Sequence, residues 1–135
     1  MAESHPNVVK FTRIIRAFNE SDFDTLKALV SDDLRYYVAG GGMLGGEYQG
    51  PSAFAEFLRK ARAETKDVIA IELKVMTSSD DHVMTYGVVR AERNGKRLES
   101  RNMYLYRFGQ DGKLAEGMNV PVDQEKWAAF WSRVI

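Results

Sequence analysis

Residues 40–45, Gly40-Gly41-Gly42-Met43-Leu44-Gly45, match G-x-G-x-x-G, a spacing that lets backbone amides approach a dinucleotide pyrophosphate. The match follows a strand-like run, as that fingerprint requires. The phosphate-binding helix should then open at the motif itself, but Glu47, Tyr48, Gln49, Gly50 and Pro51 intervene. No Gly-Lys-Ser/Thr follows, so a P-loop fails too. Six of the eleven glycines lie between Gly40 and Gly50. What remains is a loop that turns sharply through positive φ, either as fold geometry or as a lid over a pocket.

The other reactive residue types form no constellation. His5 lies near the terminus and His82 in a turn, and they cannot supply a two- or three-histidine metal site. The absence of cysteine excludes disulfides, thiolate metal sites and cysteine nucleophiles. Asp80-Asp81-His82 reads as a turn, because aspartate bonds its own backbone there. Asp32-Asp33 marks the exit from a helix. Arg90, Arg93, Lys96, Arg97 and Arg101 are interleaved with Glu92 and Glu99, the pattern of a solvated sheet edge. No cofactor and no metal is implied.

These residues are carried by 135 positions, enough for one domain over 1–135. Hydrophobic content of 44% and charged content of 28% are ordinary for a soluble globular chain. A net charge of zero argues against a nucleic-acid partner, which needs a basic face. There is no run of 18 apolar residues and no signal-like N-terminus, so no membrane partner is expected and the expected location is cytoplasmic.

Val8, Phe11, Ile15 and Phe18 recur at helical spacing over residues 7–20. A second helix starts at Ser-Asp-Phe-Asp, with Ser21 as N-cap and Phe23, Leu26, Leu29 and Val30 as its buried face. "DLRYYVA" reads as a strand. Gly50-Pro51 opens a third helix with Phe54, Phe57, Leu58 and Ala61 on one stripe. From residue 67 the period is two. Turns at "SSDDH", Asn94-Gly95 and Asp111-Gly112 separate four strands. Asp123 caps a terminal helix carrying Trp127, Phe130, Trp131 and Val134. Early helices followed by hairpin-linked strands mean an α+β fold with an antiparallel sheet.

The segments "FNESDFDTLKALVSDDLRYYV", "VAGGGMLGGEYQGPSAFAEFL", "RNGKRLESRNMYLYRF" and "DGKLAEGMNVPVDQEKWAAFW" together resemble the SnoaL-like branch of the nuclear-transport-factor-2-like superfamily. That branch is related to ketosteroid isomerase, limonene epoxide hydrolase and polyketide cyclases. The resemblance spans almost the whole chain. It implies a curved antiparallel sheet wrapped by helices into a cone (cystatin-like), an apolar pocket at its mouth with the glycine loop along the rim, and a homodimer formed through the outer sheet face. Met103 and Leu105 would sit on that face.

The acting residues of the relatives are not carried over. Ketosteroid isomerase needs a carboxylate base, a tyrosine and a protonated acid in an apolar site. The matching positions here hold Val38, Ile14 and Tyr104. The Asp-Arg-Asp set of limonene epoxide hydrolase falls near Gly87, Val89 and Asn119. The acid of the polyketide cyclases falls on Asn119. The resemblance therefore implies a binder of an apolar small molecule, with Tyr104 and Asn119 as catalytic candidates for an isomerisation or cyclisation lacking the usual base. An enzyme using a carboxylate elsewhere, Glu99 or Glu116, and a non-enzymatic dimeric module are the alternatives. Strand side chains alternate, so one parity faces the pocket, and the resemblance suggests which: Leu34, Tyr36 and Val38; Asn102, Tyr104 and Tyr106; Ala115, Gly117 and Asn119. Phe54, Leu58 and Trp127 or Trp131 would close the cavity.

Overall fold

A computed structural model describes residues 5–132 of the chain. Its elements are α1 (Pro6–Asn19), α2 (Phe23–Ala28), β1 (Val30–Val38), β2 (Gly46–Gln49), α3 (Gly50–Glu64), β3 (Ile69–Ser78), β4 (His82–Arg93), β5 (Lys96–Phe108), β6 (Leu114–Pro121) and α4 (Gln124–Phe130). Among the described residues no helix is long and apolar enough to cross a membrane.

Local chemistry sets the helix ends. His5 caps α1, its Nδ1 accepting from the Asn7 amide, and Pro6 occupies the first turn, where a missing N–H is harmless. The cap of α2 is Asp22 rather than Ser21: its carboxylate accepts from the Thr25 amide, while Ser21 turns left-handed with φ 58°. Leu29 and Val30 lie beyond that helix, and Val30 opens β1. Asp123 caps α4 by accepting from Lys126 N. Val134, expected on this last helix, lies outside the described residues.

The six strands form one curved sheet in the order β2-β1-β6-β5-β4-β3. Four of the five pairings are antiparallel, but β1 and β6 run parallel. The hairpin turns could not reveal this pairing, because parallel neighbours need a long crossover and the whole middle of the chain supplies it. Strand β2 was also not expected. Gly46-Glu47-Tyr48-Gln49 has weak strand propensity, yet it pairs residue for residue with Val38–Arg35 at the sheet edge. Helices α1 and α3 and the terminal helix α4 bury one face of the sheet. Phe11, Phe18, Leu26, Leu34, Phe54, Leu114 and Trp131 lie in that core.

The glycine loop is fold geometry. Five of its six glycines, Gly40, Gly41, Gly42, Gly46 and Gly50, have positive φ. The loop lies against α4, where the Met43 amide donates to the Trp131 carbonyl at 2.8 Å. Leu44 is buried beneath it, and the Tyr48 hydroxyl donates to the Leu44 carbonyl. A Cβ on Gly42 would meet the Trp131 Cβ at 3.0 Å, whereas one on Gly41 would meet nothing within 4 Å. Both glycines have φ 74°. Gly41→Ala should therefore lose about 1 kcal/mol, the penalty for a left-handed Cβ. Gly42→Ala should lose a further ~1–3 kcal/mol through overpacking against α4. Urea unfolding of the two variants beside the wild type checks the difference.

Candidate functional site

The inner face of the sheet can be followed as rows of paired residues. One row runs Val38, Asn119, Tyr104, Thr85, Met76 across β1, β6, β5, β4 and β3. The next runs Tyr36, Gly117, Tyr106, Val83. Asn102 pairs with Gly87 on one side and Pro121 on the other. All of these except Met76 are buried. Between Arg107 and Phe108 the β5–β6 register slips by one residue, so Leu114 is buried and Ala115, expected to face inward, is displaced from that row.

Gly117 shapes the second row. A Cβ there would lie 2.6 Å from Tyr36 Cδ1 and 3.2 Å from Tyr106 Cε1. The empty position lets the two rings close over β6 until their hydroxyls meet at 3.1 Å. Phe11 stacks edge-on against Tyr106 with centroids 4.6 Å apart, and Phe54 lies 4.9 Å from Tyr36. Leu58 of α3 joins the same core. These rings fill the part of the interior nearest β1.

The first row is polar. Ser100 Oγ donates to Asn102 Oδ1 at 2.5 Å, and Asn102 Nδ2 donates to Asn119 Oδ1 at 2.6 Å. Beside this chain, the Tyr104 hydroxyl is fully buried with no hydrogen-bond partner among the described residues, as are Thr85 Oγ1 and the indole nitrogens of Trp127 and Trp131. A buried unpaired polar atom is expensive, so four of them in one core need a reason. Thr85 and Ser100 were not singled out by sequence reasoning, whereas Trp131 was expected to close the cavity. The signal was available in part, since Thr85 lies on the inward parity of β4 opposite Tyr104.

Among the described residues no carboxylate is buried in this interior. The buried polar residues among those described are Asn7, Arg62, Thr65, Thr85, Arg93, Ser100, Asn102 and Asn119. Glu99 bonds Arg90 and Glu116 bonds Arg107, both exposed on the outer face, so neither is placed to act as a base inside. Asp81 bonds His82 in the exposed turn between β3 and β4. No group of three metal-ligating side chains exists among the described residues. The chemistry open to the interior is hydrogen bonding by neutral groups.

Burial holds those groups neutral. It pushes the phenols of Tyr36, Tyr104 and Tyr106 well above their ordinary value, with neighbouring tyrosines adding to the effect at Tyr36 and Tyr104. A phenol whose folded pKa is raised stabilises the fold below the unfolded value and loses that contribution above it. The phenol contribution should therefore be flat from neutral pH to about pH 10 and fall beyond it, by about 1.4 kcal/mol per pH unit for each of the three phenols. Urea midpoints either side of that pH check the slope, which Tyr104→Phe should reduce. At neutral pH the same substitution should raise stability by about 1 kcal/mol, because it removes an unpaired hydroxyl, whereas Tyr106→Phe should lower it by about 1 kcal/mol by breaking a made bond.

Comparison with known proteins gives this geometry a context. The family model for the SnoaL-like domain matches residues 11–117. No curated protein matches the chain. Among solved structures, Bal32a from a soil-derived mobile gene cassette is 27% identical, with a TM-score of 0.89 over 96% of this chain and 98% of its own. A protein of unknown function with a cystatin-like fold from Xanthomonas campestris is 25% identical, with a TM-score of 0.86 over 94% and 98%. TerC, co-crystallised with polyporic acid, is 16% identical and shares the fold, with a TM-score of 0.81 over 93% and 98%. The mixed sheet wrapped by helices and the family match over most of its length agree: the chain belongs to the SnoaL-like family.

Proposed function

We propose that the chain binds an apolar small molecule against the inner face of the sheet, with Tyr104 and Asn119 as its polar contacts. The observation that carries this reading is the Tyr104 hydroxyl, which is buried without a partner one strand away from the Asn119 amide. A bound molecule would satisfy it, and apolar walls with a few aimed polar groups are the usual make-up of a small-molecule site. Val38, Phe54, Leu58 and Trp127 would form walls, Asn102 would orient Asn119, and the Tyr36–Gly117–Tyr106 row would be the floor. Co-crystallisation of TerC with polyporic acid in the same fold supports the reading. Any turnover would rest on Tyr104 polarising a carbonyl and on confinement of a reactive conformer, suited to a cyclisation or isomerisation.

A second reading is a dimeric module whose working surface is the outer face, and two observations favour it. The inner rings pack tightly, as described above. On the outer face, Tyr37, Met118, Leu105 and Met84 form one apolar row, and Val120, Met103, Tyr86 and Val75 form the next. Met84 is 50% exposed and Val75 62%. Ion pairs Arg107–Glu116 and Arg90–Glu99 flank these rows, an apolar centre within a polar rim. A groove of about 280 Å³ lined by Arg35, Tyr37, His82, Leu105 and Met118 lies on this same face. We propose that a second copy of the chain covers it, in either reading.

Thermal-shift measurements with steroid, polyketide and terpenoid scaffolds separate the two. Under the first reading one scaffold raises Tm, and Tyr104→Phe and Asn119→Ala weaken that rise by about tenfold in affinity, the worth of one good hydrogen bond. No shift from any scaffold leaves the dimeric module. Light scattering of Met103→Glu tests the shared part: the wild type should have twice the variant's mass, and a monomeric wild type would overturn it.

A further inference from the structure

The amide oxygens of the inner face are already engaged. Asn102 Oδ1 accepts from Ser100, and Asn119 Oδ1 accepts from Asn102. What remains is a surplus of donors. Thr85 and Tyr104 each carry a buried hydroxyl without a partner, Trp127 and Trp131 each carry a buried indole N–H without one, and Asn119 Nδ2 donates to no protein group among the described residues. An indole nitrogen can only donate. Reversing both amides would free one oxygen on Asn119 and leave the two indoles and two hydroxyls as they are.

These donors share one core. Thr85 and Tyr104 are cross-strand partners, and Tyr104 is the partner of Asn119. Helix α4 brings its indoles to the end where β1 and β6 finish: a Cβ on Gly40 would touch Trp127 Cδ1 at 3.2 Å and Pro121 at 3.3 Å. Both tryptophans, Tyr104 and Val38 belong to one continuous cluster.

The charges nearby are committed elsewhere. Arg93 donates to Glu64 and to the Phe130 and Ser132 carbonyls, which anchors the end of α4. Arg62 donates to Asp67 and to the Ile69 carbonyl. No carboxylate is buried among the described residues. An ammonium ligand would face the indole N–H groups with no buried carboxylate to offset its desolvation, and a carboxylate ligand would likewise find no free counter-charge.

We infer that the interior takes an uncharged ligand bearing oxygen acceptors, such as ketone, quinone or ether groups, and that Thr85, Tyr104, Trp127 and Trp131 are the donors that read those oxygens. This rests on the proposed small-molecule reading and specifies its ligand class. It adds Thr85 and Trp131 to the residues that contact the ligand. The same donor set makes recognition insensitive to pH across the neutral range, since none of the four groups titrates there.

The test uses the two tryptophans, Trp127 and Trp131, as the chain's only indole reporters. The full chain, labelled with nitrogen-15, is titrated with four matched probes while its two indole N–H signals are followed. The probes are cyclohexyl methyl ketone, isopropylcyclohexane, 1-cyclohexylethylamine and cyclohexanecarboxylate. The ketone should move both indole signals and bind about tenfold more tightly than the hydrocarbon, the factor expected for one buried hydrogen bond. The amine and the carboxylate should leave the signals in place. Thr85→Val, which keeps the shape and removes the hydroxyl, should weaken the ketone by a similar factor and leave the hydrocarbon unchanged. Equal affinities for ketone and hydrocarbon, or tighter binding of either charged probe, overturn this inference alone. No response to any probe, with the indoles bonded to trapped water instead, overturns it together with the small-molecule reading.

Discussion

Gly117 lies between tyrosines on two neighbouring strands, and the space its missing side chain leaves is what lets their rings meet. Tyr36 reaches it from β1 through the parallel pairing, and Tyr106 reaches it from β5 through the antiparallel one. Any Cβ on β6 at this point would stand 2.6 Å from the Tyr36 ring. The hydroxyl bond formed above it fixes the inner surface on which Phe11, Phe54 and Phe57 then pack. The parallel β1–β6 pairing, which joins the first part of the chain to the last, is thus locked by side chains as well as by its backbone ladder.

The two halves of the interior differ in how completely they are satisfied. Toward β1 the aromatic rings meet one another and the tyrosine hydroxyls pair. Toward β4 and α4 the sheet carries a chain of amides bordered by hydroxyls and indoles that have no partner among the described residues. A core selected for stability alone would replace Tyr104 and Thr85 with phenylalanine and valine, since an unpaired buried hydroxyl destabilises. Each such group calls for an explanation, an ordered water or a bound molecule among them. The outer face shows the complementary imbalance, with methionines and a tyrosine exposed at the centre of the sheet and ion pairs at its margins.

The glycine loop shows why a motif needs its structural setting. Its letters match a nucleotide-binding fingerprint, but its backbone is bent by five left-handed glycines to fit beneath α4 and to bring β2 to the sheet edge. The helix that follows opens at Gly50, beyond that strand. Close approach of backbone to a helix, rather than to a phosphate, accounts for the lack of side chains at Gly40 and Gly42.

Much of this was legible from residues alone, because the determinants are local. Apolar spacing marks α1 and α3, Asp123 caps α4, and Asn94-Gly95 turns β4 into β5. The family resemblance likewise rests on the order of such segments, which can be read without coordinates. The parallel pairing of β1 with β6, the edge strand β2, the slip that turns Leu114 inward in place of Ala115, and the unpaired state of Thr85, Tyr104 and the two indoles were decided only in the folded chain. Each depends on which groups from distant segments come within a few ångströms of one another. Periodicity says which way a side chain points along its own strand, but not what waits for it on the next.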